Sequence, residues 1–142
     1  MKSLIFLGAA ALLITSAASA DPIADRKSLM KERGAQMRVL GPIAQGKAPF
    51  DAAAVLDALE KLNANAQATD IEALWPAGSE TGDTKSGPAI WSDREGFAAA
   101  ETKLEDDLAA AVAAKPADLA AFQAVFGPVA ADCGACHEKY RL

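Results

Sequence analysis

Apolar side chains recur every three or four residues along four stretches of this chain, and no stretch sustains a strict in–out alternation. Ile23, Met30, Met37 and Leu40 approximate one face of a segment from about Pro22 to Leu40, with Arg26, Lys31, Glu32 and Arg38 mostly off it. Val55, Leu59 and Leu62, flanked by Ala52 and Leu56, mark a second stripe that ends near Ala66. Phe97, Leu104, Leu108 and Val112 mark a third, from near Ser92 to about Ala114. The last opens at Pro116 and carries Leu119, Phe122, Phe126, Val129, Cys133, Cys136, His137 and Tyr140. Each stripe has the period of an amphipathic helix.

The punctuation agrees with four helices. Asp21 can cap the first, Pro22 suits its first position, and Gly41-Pro42 should stop it. Asp51 is placed to cap the second, and Ser92 with Glu95 makes a capping-box pattern before the third. Pro128 falls inside the last stripe, where it should bend or interrupt the helix. Residues 76–88, with Gly78, Ser79, Gly82, Ser86 and Gly87, read as a loop, preceded by one short turn near Ile71–Trp75. The expectation is an all-α fold, an antiparallel four-helix bundle, in which cofactor sites are built from inward-facing side chains.

The amino end stands apart. Met1-Lys2 is a short basic start, Leu4 to Ile14 is apolar, and Ala18-Ser19-Ala20 is a small-residue cleavage pattern. Residues 1–20 therefore read as a secretory signal peptide cleaved after Ala20, leaving residues 21–142 as one exported domain. A transmembrane anchor would need about 20 apolar residues, more than this core has. No second apolar stretch is expected to span a bilayer, so no membrane insertion is expected.

The formal net charge of −5 becomes more negative once Lys2 leaves with the leader. That balance argues against nucleic acid and fits encounter with partners presenting basic docking surfaces.

Candidate chemistry is concentrated in five residues. Cys133 and Cys136 are the chain's two cysteines and His137 its one histidine. A disulfide across two intervening residues would remove little unfolded-state entropy. A thioredoxin-like dithiol needs a preceding strand and a helix N-terminus beneath it. A structural zinc site needs four ligands.

Cys133-Gly134-Ala135-Cys136-His137 is instead the C-x-x-C-H signature of covalent haem attachment. On a helix, positions three and four apart share a face. Both sulfurs can therefore add across the vinyl groups of one porphyrin while the adjacent imidazole reaches its iron. One haem c is expected, with His137 as proximal axial ligand. With that histidine committed to iron, no group suits acid–base or nucleophilic catalysis, and an enzyme is not expected.

The opposite axial position could be filled by Met or Lys, since no second His exists. Met30 and Met37 both lie in the first helix, and a Met at helical spacing is as readily plain core. Gly34 lies one turn after Met30, where a missing side chain would let a flat macrocycle approach. Arg26 could pair with a haem propionate.

The chain resembles the class II c-type cytochromes, the cytochrome c′ family, whose haem motif is carboxy-terminal. The marks are Arg26 to Lys31, Gly46 to Ala52, Ile90 to Asp93 and Cys133 to Arg141. The resemblance implies a four-helix bundle with haem near one end, homodimers in some relatives, and a basic residue at Arg141 close to the haem. It also implies that the position of Met30 decides the subtype. A Met there resembles the low-spin c-556-type branch, with His137/Met30 ligation, Met37 in the core, and one-electron transfer in the periplasm. A bulky non-ligand there would leave a five-coordinate iron that binds NO or CO.

Overall fold

The structure, a computed structural model, describes residues 21–142; the expected leader and its cleavage site lie outside the described residues. Four long helices form the bundle: α1 (Pro22–Ala44), α2 (Ala52–Gln67), α5 (Arg94–Ala114) and α6 (Leu119–Tyr140). Two one-turn helices, α3 (Ile71–Leu74) and α4 (Ala89–Ser92), lie in the long connection between α2 and α5. Helix α1 packs on α2 and α6, and α5 packs on α2 and α6, which closes a ring of four.

Aspartates set where the helices begin. Asp21 Oδ1 accepts from the Ile23 and Ala24 amides at 3.0 and 3.1 Å, and Asp51 from Ala54 at 2.8 Å. Asp118 accepts from Ala121 at 2.8 Å, so α6 opens at Leu119 rather than at Pro116. Asp93, not Ser92, caps α5, because residues 89–92 are already wound into α4. A cap of this kind is worth about 1 kcal/mol.

Both prolines expected to break helices are absorbed. Helix α1 runs through Gly41-Pro42 to Ala44, because burying Leu40 and Ile43 anchors its last turn in the core. Gln123 of α6 then donates to the Ala44 carbonyl at 2.7 Å, satisfying one orphaned end group. Helix α6 is continuous across Pro128. That ring lies on the exposed side, between the buried Phe126 and Val129, so the carbonyl it orphans can bond to water.

Two apolar clusters divide the bundle along its length. The larger joins Leu40, Val55, Leu59, Leu62, Leu104, Leu108, Phe122, Phe126 and Val129. The smaller joins Trp75, Ile90, Phe97 and Tyr140. Met37 packs against the larger, as expected for a core residue. One expectation needs correction: α6, with 22 residues, is long and apolar enough to cross a bilayer. Its alanines raise its hydropathy, while its large side chains Phe122, Phe126 and Val129 are buried in the bundle.

Candidate functional site

Cys133, Cys136 and His137 occupy the last two turns of α6, three and four residues apart on one side of the helix. Neither cysteine is in a disulfide. Cys133 packs against the larger core and Cys136 against the aromatic cluster, so the pair straddles the boundary between them. Burial pushes both thiols up, Cys136 to about 11. They are therefore protonated near neutrality, the reverse of an activated C-x-x-C redox pair. Burial first, then the charges of Arg141 and Arg33, lower the pKa of His137. A neutral imidazole keeps a lone pair for a metal.

Beside α6 lies an open cavity of about 500 Å³. Its apolar wall is Trp75, Ile90, Phe97 and Tyr140; Met30 of α1 and His137 of α6 both border it, with Cys136. The wall is rigid for identifiable reasons. Phe97 stands edge-on to Trp75 and to Tyr140, with centroids 4.9 and 5.1 Å apart. Tyr140 donates its hydroxyl to Asp93 at 2.9 Å, and Trp75 Nε1 donates to Ser86 Oγ at 3.1 Å. Gly96 makes room for that phenol, since a Cβ there would sit 2.7 Å from the Tyr140 oxygen.

The loop of residues 76–88 closes one side, and Arg26 holds it. The buried guanidinium donates to the Leu74 carbonyl at 3.1 Å, to Ser79 Oγ at 2.9 Å and to the Ser79 carbonyl at 3.0 Å. Its Nε is buried without a partner, although the residue lines the cavity. Arg141, also lining it, follows α6 and pairs in an isolated bridge with Ser86. Gly87 allows this close approach: its amide donates to the Tyr140 carbonyl at 2.7 Å, and a Cβ would sit 3.0 Å from that oxygen.

The expected residues are thus brought together unevenly. Met30, Cys136, His137, Arg26 and Arg141 share the cavity, while Cys133 does not line it and packs against the larger core. Gly34 does not line it; a Cβ there would meet only the Arg38 side chain, at 3.7 Å. Trp91 stands under Arg26 at 5.8 Å and donates to the Pro76 carbonyl, so it supports the loop rather than the cavity.

The charge at the cavity mouth also departs from expectation. Although the chain is acidic, the lining includes Lys27, Lys31, Lys85 and Arg141, with Asp83 as the one carboxylate and Lys27 bonded to it. The charge at this opening is thus opposite in sign to the net charge.

A haem would find what it requires here. An imidazole and a thioether border one cavity, two thiols lie three residues apart on α6, and aromatic rings form the wall. Arg26, Lys27, Lys31, Lys85 and Arg141 are among the lining residues. The volume is in the range of small-molecule and cofactor sites. Among the described residues no three His, Cys, Asp or Glu side chains could cage a metal ion by themselves.

The comparisons with known proteins identify a family. The sequence profile of the family described as Cytochrome C′ matches residues 21–141. A cytochrome c-556 of Agrobacterium fabrum is 40% identical over 124 residues, covering 87% of this chain and 83% of that protein. A solved cytochrome c′ from Rhodopseudomonas palustris superposes with a TM-score of 0.80 at 33% identity, covering 87% of this chain and 98% of that one. Another similar structure is a nitric oxide complex of a mutant cytochrome c prime from Alcaligenes xylosoxidans. It has a TM-score of 0.71 and 34% identity, and the match covers 84% of this chain and 93% of that one. Such proteins are electron carriers or gas-binding haem proteins rather than enzymes. Its sequence, its helical bundle and its cavity place this chain in the cytochrome c′ family, whose members carry covalently attached haem c.

Proposed function

We propose that this protein is a periplasmic one-electron carrier whose single haem iron is held between His137 and Met30. One observation carries the reading: Met30 on α1 and His137 on α6 border the same cavity from different helices. The haem supplies reversible one-electron exchange at iron. Cys133 and Cys136 would tether it through thioethers. Arg26 and Arg141, which line the cavity, would face its propionates. A thioether opposite an imidazole favours ferrous iron and raises the potential, and it leaves no vacant position for a substrate.

The basic mouth bears on the partner. Lys27, Lys31 and Lys85 line the opening through which an electron would pass, so a redox partner that docks there presents carboxylates. The start of α1 bears on export. Cleavage after Ala20 would leave Asp21 as the first residue, and the side chain of Asp21 caps α1.

A competing reading, a five-coordinate iron that takes NO or CO, draws support from the nitric oxide complex of the similar Alcaligenes protein. Absorption spectroscopy separates the two. Low-spin bands with a sulfur-to-iron charge-transfer feature in the ferric protein, and no CO uptake on reduction, are expected. A high-spin ferric spectrum with ready CO uptake would give the site to gas binding. Met30→Ala is expected to open the iron to CO; if that variant stays low-spin, Met30 is not the ligand.

A further inference from the structure

A second charged feature lies inside the bundle, away from the cavity mouth. Arg33 of α1 and Glu101 of α5 are 8% and 5% exposed and form an ion pair, with Arg33 Nη1 donating to Glu101 Oε2 at 3.1 Å. The pair is embedded in further bonds. Arg33 donates through Nε to Asn65 Oδ1 at 2.8 Å and through Nη2 to Thr69 Oγ1 at 2.9 Å. Asn65 in turn donates to Glu32 at 3.0 Å. Helices α1, α2 and α5 are thereby joined through one guanidinium.

Its position is specific. Arg33 lies three residues after Met30 and four before Met37, on the apolar stripe of α1. Glu101 lies between Ala100, which packs in the same cluster as Cys136, and Leu104, which packs in the same cluster as Cys133. The pair therefore spans the bundle at the level of the two cysteines, on the boundary between the two apolar clusters. The charges of both residues are felt at both thiols, and that of Arg33 at His137 as well.

Stability is a weak explanation for such a pair. Apolar residues of the same volume often replace a buried ion pair without loss, while removing one partner leaves an uncompensated charge. In a poorly screened interior that charge acts over a long distance. A positive charge near the iron favours the ferrous state, which carries one positive charge fewer, and a negative charge disfavours it.

We propose that Arg33 and Glu101 are positioning residues for the haem: they fix the level of Met30 on α1 and set the reduction potential as a balanced pair of opposite charges beneath the cysteines. The inference rests on the haem being held by Cys133, Cys136 and His137.

The test is a redox titration of haem-loaded, full-length-matured protein, read together with its ferric spectrum. Glu101→Gln is expected to raise the potential and Arg33→Gln to lower it, with Arg33→Lys staying near the parent. A role confined to holding helices together would move both Gln variants in the same direction, or neither, and that result overturns the proposal. Should a single variant yield no holoprotein, the Arg33→Gln/Glu101→Gln double variant and the Arg33→Glu/Glu101→Arg swap decide. The swap is expected to differ in potential from the parent, with the double variant between them; coincident values overturn the proposal. Protein without covalent haem mass in the parent would instead sink the reading of the site itself.

Discussion

The two ends of this bundle are built from the same four helices but completed in different ways. At one end Leu40, Val55, Leu59, Leu108, Phe122 and Val129 are essentially without solvent contact, and Phe122 meets Phe50 and Phe126 with centroids 6.3 and 5.1 Å apart. Burying each large apolar side chain of that kind contributes about 1.5–3 kcal/mol. The other end has an aromatic wall of three rings and, facing it, an open cavity bordered by Met30, His137 and a set of cations. The first end is a core in its own right. The second is one wall of a core, and in the proposed reading the haem supplies the other.

The comparison is broken most severely by removing the attachment. Cys133→Ala/Cys136→Ala should abolish covalent haem mass. Amide exchange should then quicken in α3, α4 and residues 76–88, while protection persists around Leu59 and Leu108. Equal loss at both ends would show that the two are not separable. Phe122→Ala strikes the other end. It should cost about 3–5 kcal/mol in denaturant unfolding while leaving the haem spectrum unchanged. A spectral shift would mean that the closed end controls the iron.

Reversing the mouth charges sharpens the contrast at smaller amplitude. With a ferricyanide oxidant, the parent should react more slowly as salt rises, because local cations steer the anion despite the acidic net charge. Lys27→Glu/Lys31→Glu/Lys85→Glu should slow the low-salt rate by about tenfold and invert its salt dependence. Unchanged stopped-flow traces would place the electron's exit elsewhere.

The smallest effect concerns Asp93. Hydrogen bonds from Lys139 first, then from Tyr140, hold its carboxyl below the usual carboxylate range. Because the folded value is the lower one, its contribution is present above about pH 3.9 and disappears as pH falls through the folded value. Asp93→Asn should therefore flatten the acid limb of the urea midpoint against pH. Parallel curves for parent and variant would remove Asp93 from the acid response.

Local signals in the sequence were legible where a local rule governs. Asp21 and Asp51 cap helices because a carboxylate one position before a helix satisfies its free amides whatever surrounds it. Pro42 as a stop and Pro128 as an interruption failed for the same reason in reverse. Their local penalty is real, but the burial of Leu40, Ile43, Phe126 and Val129 outweighs it. Arg33 and Glu101 had a signal that could have been used: each is a charge standing on an apolar stripe, between Met30 and Met37 or between Phe97 and Leu104. The part of Trp75 in the cavity wall had none, because it comes from a connection whose path no periodicity specifies.

Residue order by itself determined the helical period, the Asp caps and a C-x-x-C-H run that puts two sulfurs and an imidazole on one face, since all three depend on neighbours within a few positions. Only the tertiary structure decided that Met30 meets the same cavity as His137, that an acidic chain presents a basic opening, and that Arg33 finds Glu101 across the bundle. Those outcomes depend on which distant faces are pressed together, and burial and charge acquire their strength only there.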